Sequence, residues 1–345
     1  MIPSDKIGIV FGSLTPPEQL RAGAALAERL GLGELWFSED CFFTGGLSGL
    51  TQLLAATREI PAGLGLASIA TRHPAVLAME FAGLARTYPG RVRAGIGLGN
   101  RGWLEQMGLL PRRPLTALDE TTDILRELLS GATVDRKTDT QTLSDIRLSF
   151  PPDTPPELWI GAVNERGLRL AGEKADGVLL SVLAGTAYLR WVRALLPRHA
   201  KVTAFVLTAI DEDERIARDA VRDAVAMFLQ AESASALVGK SPYAKEIRTA
   251  VAELAPSEQL TVPDAWIDEF AVAGTPDQVR ARLGGLLDAG ANSLGLWLFP
   301  PDRLETQLVR LASEVLDTGQ SAVSTRPEVG TPVPAVTTMR SNPST

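Results

Sequence analysis

The chain has 345 residues, a formal net charge of −7 and one cysteine, and these numbers exclude several classes of protein. A net negative charge argues against general nucleic-acid or anionic-membrane binding, since both need a positive field. One cysteine and the two separated histidines His73 and His199 cannot build a multi-cysteine or multi-histidine centre, so we expect no metal site. Apolar runs are too short to span a bilayer and the start of the chain lacks a signal-peptide pattern, which predicts a cytoplasmic protein.

Short apolar runs alternate with helical patterns along most of the chain. The predicted strands are 6–11, 34–37, 63–70, 91–97, 157–162, 176–181, 201–210 and 294–299. Each run is followed by residues with apolar spacing typical of a helix. Eight such units predict an α/β fold, a (β/α)8 TIM barrel, with a doubly wound parallel sheet as the structural alternative.

Two segments interrupt this alternation. Residues 131–156 are polar and end in prolines, which predicts a hairpin-like insertion followed by an extended linker, and 242–255 predict a helical insertion. Residues 319–345 are rich in Ser, Thr and Pro without periodicity, which predicts a disordered tail. We therefore expect one barrel domain over residues 1–318.

Glycines in the segment 91–103 match a dinucleotide-binding spacing, because Gly97, Gly99 and Gly102 form G-x-G-x-x-G. The context does not fit a Rossmann fingerprint, since these glycines follow the fourth strand and the next strong helical pattern begins only at 115. The alternation of Gly95, Gly97 and Gly99 is more informative, because it leaves one face of a strand bare. Either a planar ring approaches that face, or the barrel is crowded there.

Several segments together resemble the bacterial luciferase-like family of flavin- and deazaflavin-dependent oxidoreductases. They are "GLGELWFSED", "LASIATRHPAVLAMEFAGLARTYPGRVRAGIGLGN", "LWIGAVNERGLRLAGEKADGVLLS" and "AGTPDQVRARLGGLLDAGANSLGLWLF". The resemblance extends over nearly all of the predicted folded region. It implies a barrel that holds the cofactor ring at the carboxyl-terminal mouth, over strands three and four.

The coenzyme F420 branch of this family supplies the expected cofactor contacts. The pair Ser68–Ile69 corresponds to a pair that usually carries a non-proline cis peptide beneath the ring. The resemblance implies phosphate binding by backbone amides of Gly161, Ala162, Val163 and Asn164, although Asn164 could instead be an ordinary helix cap. The remaining expected cofactor contacts are Gly97, Leu98, Gly99, Asn100 and Ser181.

The chain departs from the acid–base set of the family's sugar-phosphate dehydrogenases. Their acid–His pair after strand two is Glu39–Asp40 here, and their Glu after strand four is Asn100. Glu39, Asp40 and Asn100 are therefore the catalytic candidates, and Asp40 could act as an acid or base in a water-poor pocket. The alternative is that Glu39 and Asp40 only solvate a loop or cap a helix.

The leading hypothesis is an F420-dependent oxidoreductase that transfers a hydride between the deazaflavin and a small organic substrate. The alternatives are an FMN-dependent luciferase-like monooxygenase and a non-catalytic cofactor-binding barrel. Ser13, Phe42 and Trp297 are the candidate substrate-pocket residues. Beyond a small-molecule substrate we expect no nucleic-acid or membrane partner, and the resemblance implies a homodimer.

Overall fold

A computed structural model describes residues 2–255 and 258–317. Its eight parallel barrel strands are Ile7–Phe11 (β1), Glu34–Phe37 (β2), Ala62–Leu64 (β3), Val92–Gly97 (β4), Glu157–Gly161 (β5), Gly177–Leu180 (β6), Lys201–Ile210 (β7) and Ser293–Leu298 (β8). Each strand pairs with the next, and β8 pairs with β1, so the sheet closes on itself. The predicted (β/α)8 barrel is confirmed, and the doubly wound sheet is wrong.

Thirteen α-helices lie in the described part of the chain. They are Leu20–Arg29 (α1), Gly46–Ala56 (α2), Pro74–Thr87 (α3), Arg101–Gln106 (α4), Pro114–Leu129 (α5), Glu165–Lys174 (α6), Thr186–Leu195 (α7), Glu214–Glu232 (α8), Ala236–Gly239 (α9), Ala244–Glu253 (α10), Asp264–Phe270 (α11), Pro276–Asp288 (α12) and Leu304–Arg310 (α13). Short 3-10 turns occupy Ser4–Lys6, Pro17–Gln19 and Pro301–Arg303, and a π-helical turn occupies Leu311–Val315. No helix in the described ranges is long and apolar enough to cross a membrane.

The insertions lie where the sequence predicts them. Strands Val134–Lys137 and Thr142–Ile146 pair antiparallel as a hairpin, and α10 lies within the predicted helical insertion. A further short strand, Val272–Gly274, pairs with the end of β7. Ile2–Pro3 pairs with Leu316–Asp317 beside the barrel. The predicted disordered tail, 319–345, falls outside the described residues.

The sequence predicts the third strand as one continuous run over 63–70, and the structure shows a broken strand instead. It stops at Leu64 and resumes as the short strand Ala67–Ser68, which pairs with β4. Between them the backbone N–H of Gly65 donates to the carbonyl of Phe37 at 2.5 Å, and the side chain of Leu66 lies against Gly97. An extra residue in a strand bends it and changes the direction of its side chains. An uninterrupted apolar pattern does not reveal such a break.

The interior of the barrel is packed by large side chains that lie over glycines of a neighbouring strand. A Cβ atom on Gly63 would overlap the ring of Trp36, and one on Gly177 would overlap the ring of Trp159. The two tryptophan rings meet edge to face with centroids 5.3 Å apart. Phe205 fills the same layer, 2.8 Å from the position of a Cβ on Gly295. Glycine is therefore required at these sites by volume, since protein interiors are close-packed.

A buried ion pair fills the amino-terminal end of the barrel. Arg93 on β4 pairs with Glu34 on β2, which also accepts a hydrogen bond from Ser293 at 2.8 Å. The Arg93 guanidinium lies 5.6 Å from the Trp36 ring centroid and 5.4 Å from that of Trp159. Burial lowers the pKa of Arg93 from its usual range. Charged and aromatic groups thus close the amino-terminal end of the barrel interior.

The glycine packing predicts opposite effects for two glycine-to-alanine changes. Gly177→Ala places a methyl group against the Trp159 ring and should lower the free energy of unfolding by about 1–3 kcal/mol. Gly83→Ala is the matched control, because Gly83 lies within α3 with open space around it. It should leave stability unchanged or raise it by up to about 1 kcal/mol. Urea denaturation measures both, and equal effects of the two changes would contradict the packing.

Candidate active site

The loops that follow the barrel strands bring the predicted site residues to the carboxyl-terminal mouth. Ser13 follows β1, Glu39 and Asp40 follow β2, Ser68 and Ile69 end the third strand, and Asn100 follows β4. In (β/α)8 enzymes this end carries the active site. The other predicted positions at the mouth are Phe42, Gly97, Leu98, Gly99, Gly161, Ala162, Val163, Asn164, Ser181 and Trp297.

The alternating glycines of β4 are covered by the chain itself. A Cβ on Gly95 would overlap the carbonyl oxygen of Leu64, and one on Gly97 would lie 2.8 Å from Cδ2 of Leu66. The same Leu66 methyl lies 2.6 Å from the position of a Cβ on Gly161 of β5. The crowded-barrel interpretation therefore describes Gly95 and Gly97. A ring at the mouth would meet Leu66 rather than a bare glycine face.

Residues Ser68 and Ile69 continue the pairing with β4. The Ile69 N–H donates to the Gly97 carbonyl at 2.9 Å, and the Ser68 hydroxyl donates to the Leu98 carbonyl at 2.9 Å. Within the described residues the cis peptide bond is Phe299–Pro300, so the expected cis bond at Ser68–Ile69 is wrong. The regular strand pairing of Ile69 accompanies the trans form. In this feature the chain departs from the F420-branch pattern.

Gly99 is the one glycine of the row whose backbone conformation demands glycine. Its φ angle is +82°, a left-handed conformation that other residues adopt only at a cost. A Cβ there would also lie 2.8 Å from the Ser68 hydroxyl oxygen. Gly99 therefore brings the loop after β4 close to the end of the third strand.

The loop after β5 is held by two hydrogen bonds from other parts of the chain. The Tyr188 hydroxyl donates to the Val163 carbonyl at 2.8 Å. The side-chain oxygen of Asn164 accepts from the backbone N–H of Ala236, at the start of α9, at 3.0 Å. Asn164 occupies the N-cap position of α6 but makes no side-chain bond to that helix. The first N–H groups of α6 are thus left without a side-chain cap.

Glu39 is engaged in a two-point ion pair. Both guanidinium nitrogens of Arg72 donate to its carboxylate, to Oε1 at 2.7 Å and to Oε2 at 2.6 Å. Oε2 also accepts the Gly46 N–H at the start of α2, at 2.6 Å. Bidentate arginine–carboxylate contacts fix geometry as well as adding energy. Glu39 therefore positions the loops after β2 and the third strand, and its acceptor sites are largely occupied.

Asp40 lies next to this pair in a different environment. Burial raises the pKa of Asp40, the negative charge of Glu39 acts in the same direction, and a hydrogen bond from the Ser13 hydroxyl opposes both. Removal of a carboxylate from water disfavours its charged form, which is the usual route to a carboxyl that exchanges protons near neutral pH. Asp40 therefore stays the candidate acid or base at the mouth.

Asn100 and Phe42 define the side of the mouth near β4. The Asn100 Oδ1 atom accepts from the Trp103 N–H at 3.2 Å, so its side chain caps the short helix α4. Phe42 has a φ angle of +75° and is 69% exposed, with its ring centroid 6.4 Å from that of Trp103. Asn100 is thus a loop-positioning residue in this structure, whereas Phe42 and Trp103 form an aromatic rim.

Trp297 and Ser181 complete the predicted set. Trp297 is buried over Gly12 and lies 6.0 Å from Phe228 and 5.4 Å from Phe299, measured between ring centroids. Its indole Nε1 has no hydrogen-bond partner in the described part of the chain. Ser181 is half-buried directly after β6. Phe228, which packs against the Trp297 ring, lies on α8, the helix that follows β7.

Three residues at the mouth were not found by sequence reasoning. The first is Arg72, a basic residue after strand three that the sequence could have suggested as a partner of Glu39. The adjacent His73 caps α3, because its ring nitrogen Nδ1 accepts from the Ala75 N–H at 3.2 Å. Leu66 gave no signal, because the break in its strand is hidden in an apolar run. Phe228 also gave none, since nothing in a helical pattern indicates that α8 reaches the mouth.

A separate pocket of about 590 Å³ lies at the opposite end of the barrel. Its charged side chains are engaged with one another, as in the pairs of Lys174 with Asp123 and of Lys201 with Glu157. Glu157 and Lys201 begin β5 and β7, so this pocket lies at the amino ends of the strands. These side chains neutralise each other, and (β/α)8 enzymes carry their active site at the opposite end, so the mouth is the candidate active site.

Comparison with known proteins gives a match over most of the chain. The luciferase-like monooxygenase family model matches residues 7–293, which confirms the resemblance drawn from the sequence. The chain is 29% identical over 302 residues to the 5,10-methylenetetrahydromethanopterin reductase of Methanolobus tindarius, covering 83% of this chain and 92% of the relative. It is 26% identical over 331 residues to the F420-dependent glucose-6-phosphate dehydrogenase of Amycolatopsis mediterranei (strain U-32), covering 87% and 94%.

A solved structure supports the same fold. The F420-dependent secondary alcohol dehydrogenase in complex with an F420-acetone adduct superposes with a TM-score of 0.74 at 20% identity, covering 93% of this chain and 100% of that chain. At this identity the likeness concerns the fold, and it agrees with the closed eight-stranded barrel. The prediction of an enzyme of the luciferase-like type is confirmed by the family match and these relatives.

The environment of Asp40 predicts a pH-dependent gain of stability on its replacement. The pKa of the Asp40 carboxyl is raised in the folded state. The protonated carboxyl therefore contributes fully to stability below the unfolded pKa, and this contribution is lost as the pH rises through the folded pKa. Asp40→Asn should therefore raise the free energy of unfolding at pH 7, and the gain should disappear near pH 4 and below. Urea denaturation at both pH values measures it, with Asp153→Asn at an exposed position as the control. A loss of stability at pH 7, or a gain independent of pH, would contradict this environment.

Proposed function

The chain belongs to the luciferase-like monooxygenase family, and from this premise we propose that it is a coenzyme F420-dependent oxidoreductase. It would transfer a hydride between the deazaflavin and a small organic substrate. The curated relatives support this choice of cofactor, since one is named an F420-dependent dehydrogenase and another a methylenetetrahydromethanopterin reductase. The small organic substrate is proposed from the side chains at the carboxyl-terminal mouth.

The observation that carries the proposal is the uncapped amino terminus of α6. Asn164 stands at the cap position, but its side chain is bonded to Ala236 of another element. Four N–H groups at the start of a helix need acceptors, and together with the helix dipole they favour a phosphate oxygen. This terminus would suit a cofactor that carries a phosphate, with the backbone of Val163 and Asn164 as its contacts. Ala162 would not take part as expected, because its N–H already donates to the Leu179 carbonyl at 3.2 Å.

The ring of the cofactor would lie towards the third to fifth strands. Leu66 covers Gly97 and Gly161 there, while the hydrogen bonds of Ser68 and Ile69 fix the neighbouring backbone. These groups form a firm apolar support, and the loop Leu98–Asn100 would border the ring. When bound, the deazaflavin supplies hydride transfer, and the protein supplies orientation and electrostatics.

Asp40 would hold the proton of the reaction. Reduction of a carbonyl group adds a hydride to carbon and a proton to oxygen, and oxidation of an alcohol removes both. Burial and the adjacent Glu39 keep the Asp40 carboxyl able to donate a proton, while the Ser13 hydroxyl orients it. Glu39 itself would act through position, since Arg72 and Gly46 occupy its oxygens.

Sugar-phosphate oxidation is not part of the proposal. The acid–His pair that the resemblance implies for those dehydrogenases is Glu39–Asp40 in this chain. Their Glu after strand four is Asn100, whose side chain caps α4. The mouth therefore lacks their acid–base set, and Asp40 would be the acid or base in its place.

A homodimer and a cytoplasmic location stay predictions. On α3, the side chains of Val76 and Met79 are 45% and 56% exposed. Two apolar side chains one turn apart on an outer helix face are the kind of surface that a second subunit covers. The proposal for the active site does not depend on this contact.

The cofactor assignment is tested by titration of the purified protein with F420 and with FMN, followed by fluorescence quenching. We expect tighter binding of F420 than of FMN. Asn164→Asp adds a carboxylate where the phosphate would lie and should weaken F420 binding by about tenfold or more. Folding should be preserved, since an Asp side chain can still accept from Ala236.

The matched control is Asn292→Asp, which adds the same charge at the amino end of the barrel. The Asn292 side chain accepts from the Val202 N–H at 2.8 Å, and an Asp can do the same. F420 affinity should not change in this variant. Tighter binding of FMN would favour the monooxygenase alternative, and binding of neither cofactor would favour a non-catalytic barrel.

A further inference from the structure

The mouth has a second sector, opposite the support built from Leu66, on the loops after β8, β1 and β2. Trp297 lies here, 4% exposed, with its ring over Gly12 and next to Phe228 of α8. Ser13 directly follows Gly12 and shares a hydrogen bond with Asp40. One indole donor, one hydroxyl and one carboxyl are thus carried by three adjacent strands.

The indole Nε1 of Trp297 is a buried donor with no acceptor in the described ranges of the chain. Most buried polar groups in proteins are hydrogen-bonded, and an unpaired one loses its contacts with water without replacement. An acceptor atom that enters the mouth would recover that loss. The unpaired donor therefore points to a ligand oxygen.

Trp36 has an unpaired indole Nε1 as well, but its neighbours are different. It is fully buried, and the Arg93 guanidinium of the closed amino-terminal end lies over its ring. Trp297 instead contacts Gly12, at the start of a mouth loop, and Phe228 of α8. Of these two tryptophans, Trp297 is the one whose ring contacts the start of a mouth loop.

The rim of this sector is apolar. Leu14, Phe42 and Phe43 follow β1 and β2 and are 44%, 69% and 55% exposed. Trp103 extends the rim from the loop after β4, edge to face with Phe42. Large apolar side chains in one exposed group are typical of a binding surface. Here they surround the entrance to Asp40, so the group to be bound has an apolar body.

The charges around Asp40 oppose an anionic ligand. Glu39 and Asp40 are adjacent carboxylates, and the guanidinium of Arg72 is already bound by Glu39 at two points. A second negative charge would meet repulsion without a free cation from this pair. An ammonium group does not fit either, because it has no lone pair to accept from the Trp297 N–H.

We propose that the sector of Ser13, Asp40 and Trp297 binds an uncharged substrate with a carbonyl or hydroxyl oxygen on an apolar body, and that Trp297 Nε1 donates to that oxygen. This rests on the proposed function and names its substrate class. In the carbonyl direction the substrate carbon gains the hydride from the reduced cofactor and the oxygen gains the proton from Asp40. The Trp297 donor holds the oxygen in place for both transfers.

The test measures binding without turnover. Cyclohexanone, cyclohexanecarboxylate and cyclohexylammonium share one ring and differ in charge, and each is titrated by calorimetry into the protein, first alone and then with oxidised F420. Oxidised F420 cannot reduce the ketone, so the complex is stable. We expect cyclohexanone to bind at least about tenfold more tightly than either ion. Tighter binding of an ion, or no binding of the ketone, would overturn the proposal.

Two matched variants test the donor itself. Trp297→Phe keeps an aromatic ring but removes the N–H, and it should weaken cyclohexanone binding by about tenfold. Trp36→Phe removes the other unpaired indole and should leave that affinity unchanged. Equal effects of the two variants on cyclohexanone affinity would overturn the role of Trp297. If a variant fails to fold, the comparison of cyclohexanone with the two ions in the unmodified protein still tests the proposal. Failure of F420 to bind would contradict the proposed function. The titration of cyclohexanone without cofactor would still test whether the sector of Ser13, Asp40 and Trp297 binds an uncharged ketone.

Discussion

Large side chains that pack over glycines of a neighbouring strand determine how the interior of this barrel is filled. Trp36 over Gly63 and Trp159 over Gly177 fill the middle of the interior, and their rings also hold the Arg93 guanidinium. Dispersion contacts of this density are lost when either the ring or the space for it is removed. Because the amino-terminal end is filled in this way, the carboxyl-terminal mouth is the candidate place for chemistry, as in other (β/α)8 enzymes.

The same packing rule shapes the two sectors of the mouth. Leu66 over Gly97 and Gly161 supplies an apolar support for a ring, whereas Trp297 over Gly12 leaves an indole donor next to Ser13. Cofactor and substrate would thus approach from different strands of one barrel. Asp40 would belong to the substrate side, where burial raises the pKa of its carboxyl.

Sequence reasoning reached the barrel, its insertions and the loops that bear the site, because strand and helix periods are local signals. It singled out Asp40 as a possible acid or base, but it did not reveal the positioning role of Glu39, because Arg72 is close to Glu39 only in the folded chain. The glycine row was recognised as a close approach, but its partner Leu66 follows an irregular break in the third strand. The cis bond expected at Ser68–Ile69 came from resemblance alone, and the trans peptide shows that such details do not transfer with the fold.

The central claim is that a hydride passes between F420 and the carbon of an uncharged substrate while Asp40 handles the proton. The most direct measurement uses reduced F420 that carries deuterium at both positions of C5, with cyclohexanone as the acceptor. The account predicts cyclohexanol with deuterium on the carbon that bears the hydroxyl, and a rate lower by about 10²–10⁴ in Asp40→Asn. A product that has gained an oxygen atom from O₂, or an alcohol without deuterium on that carbon, would contradict it.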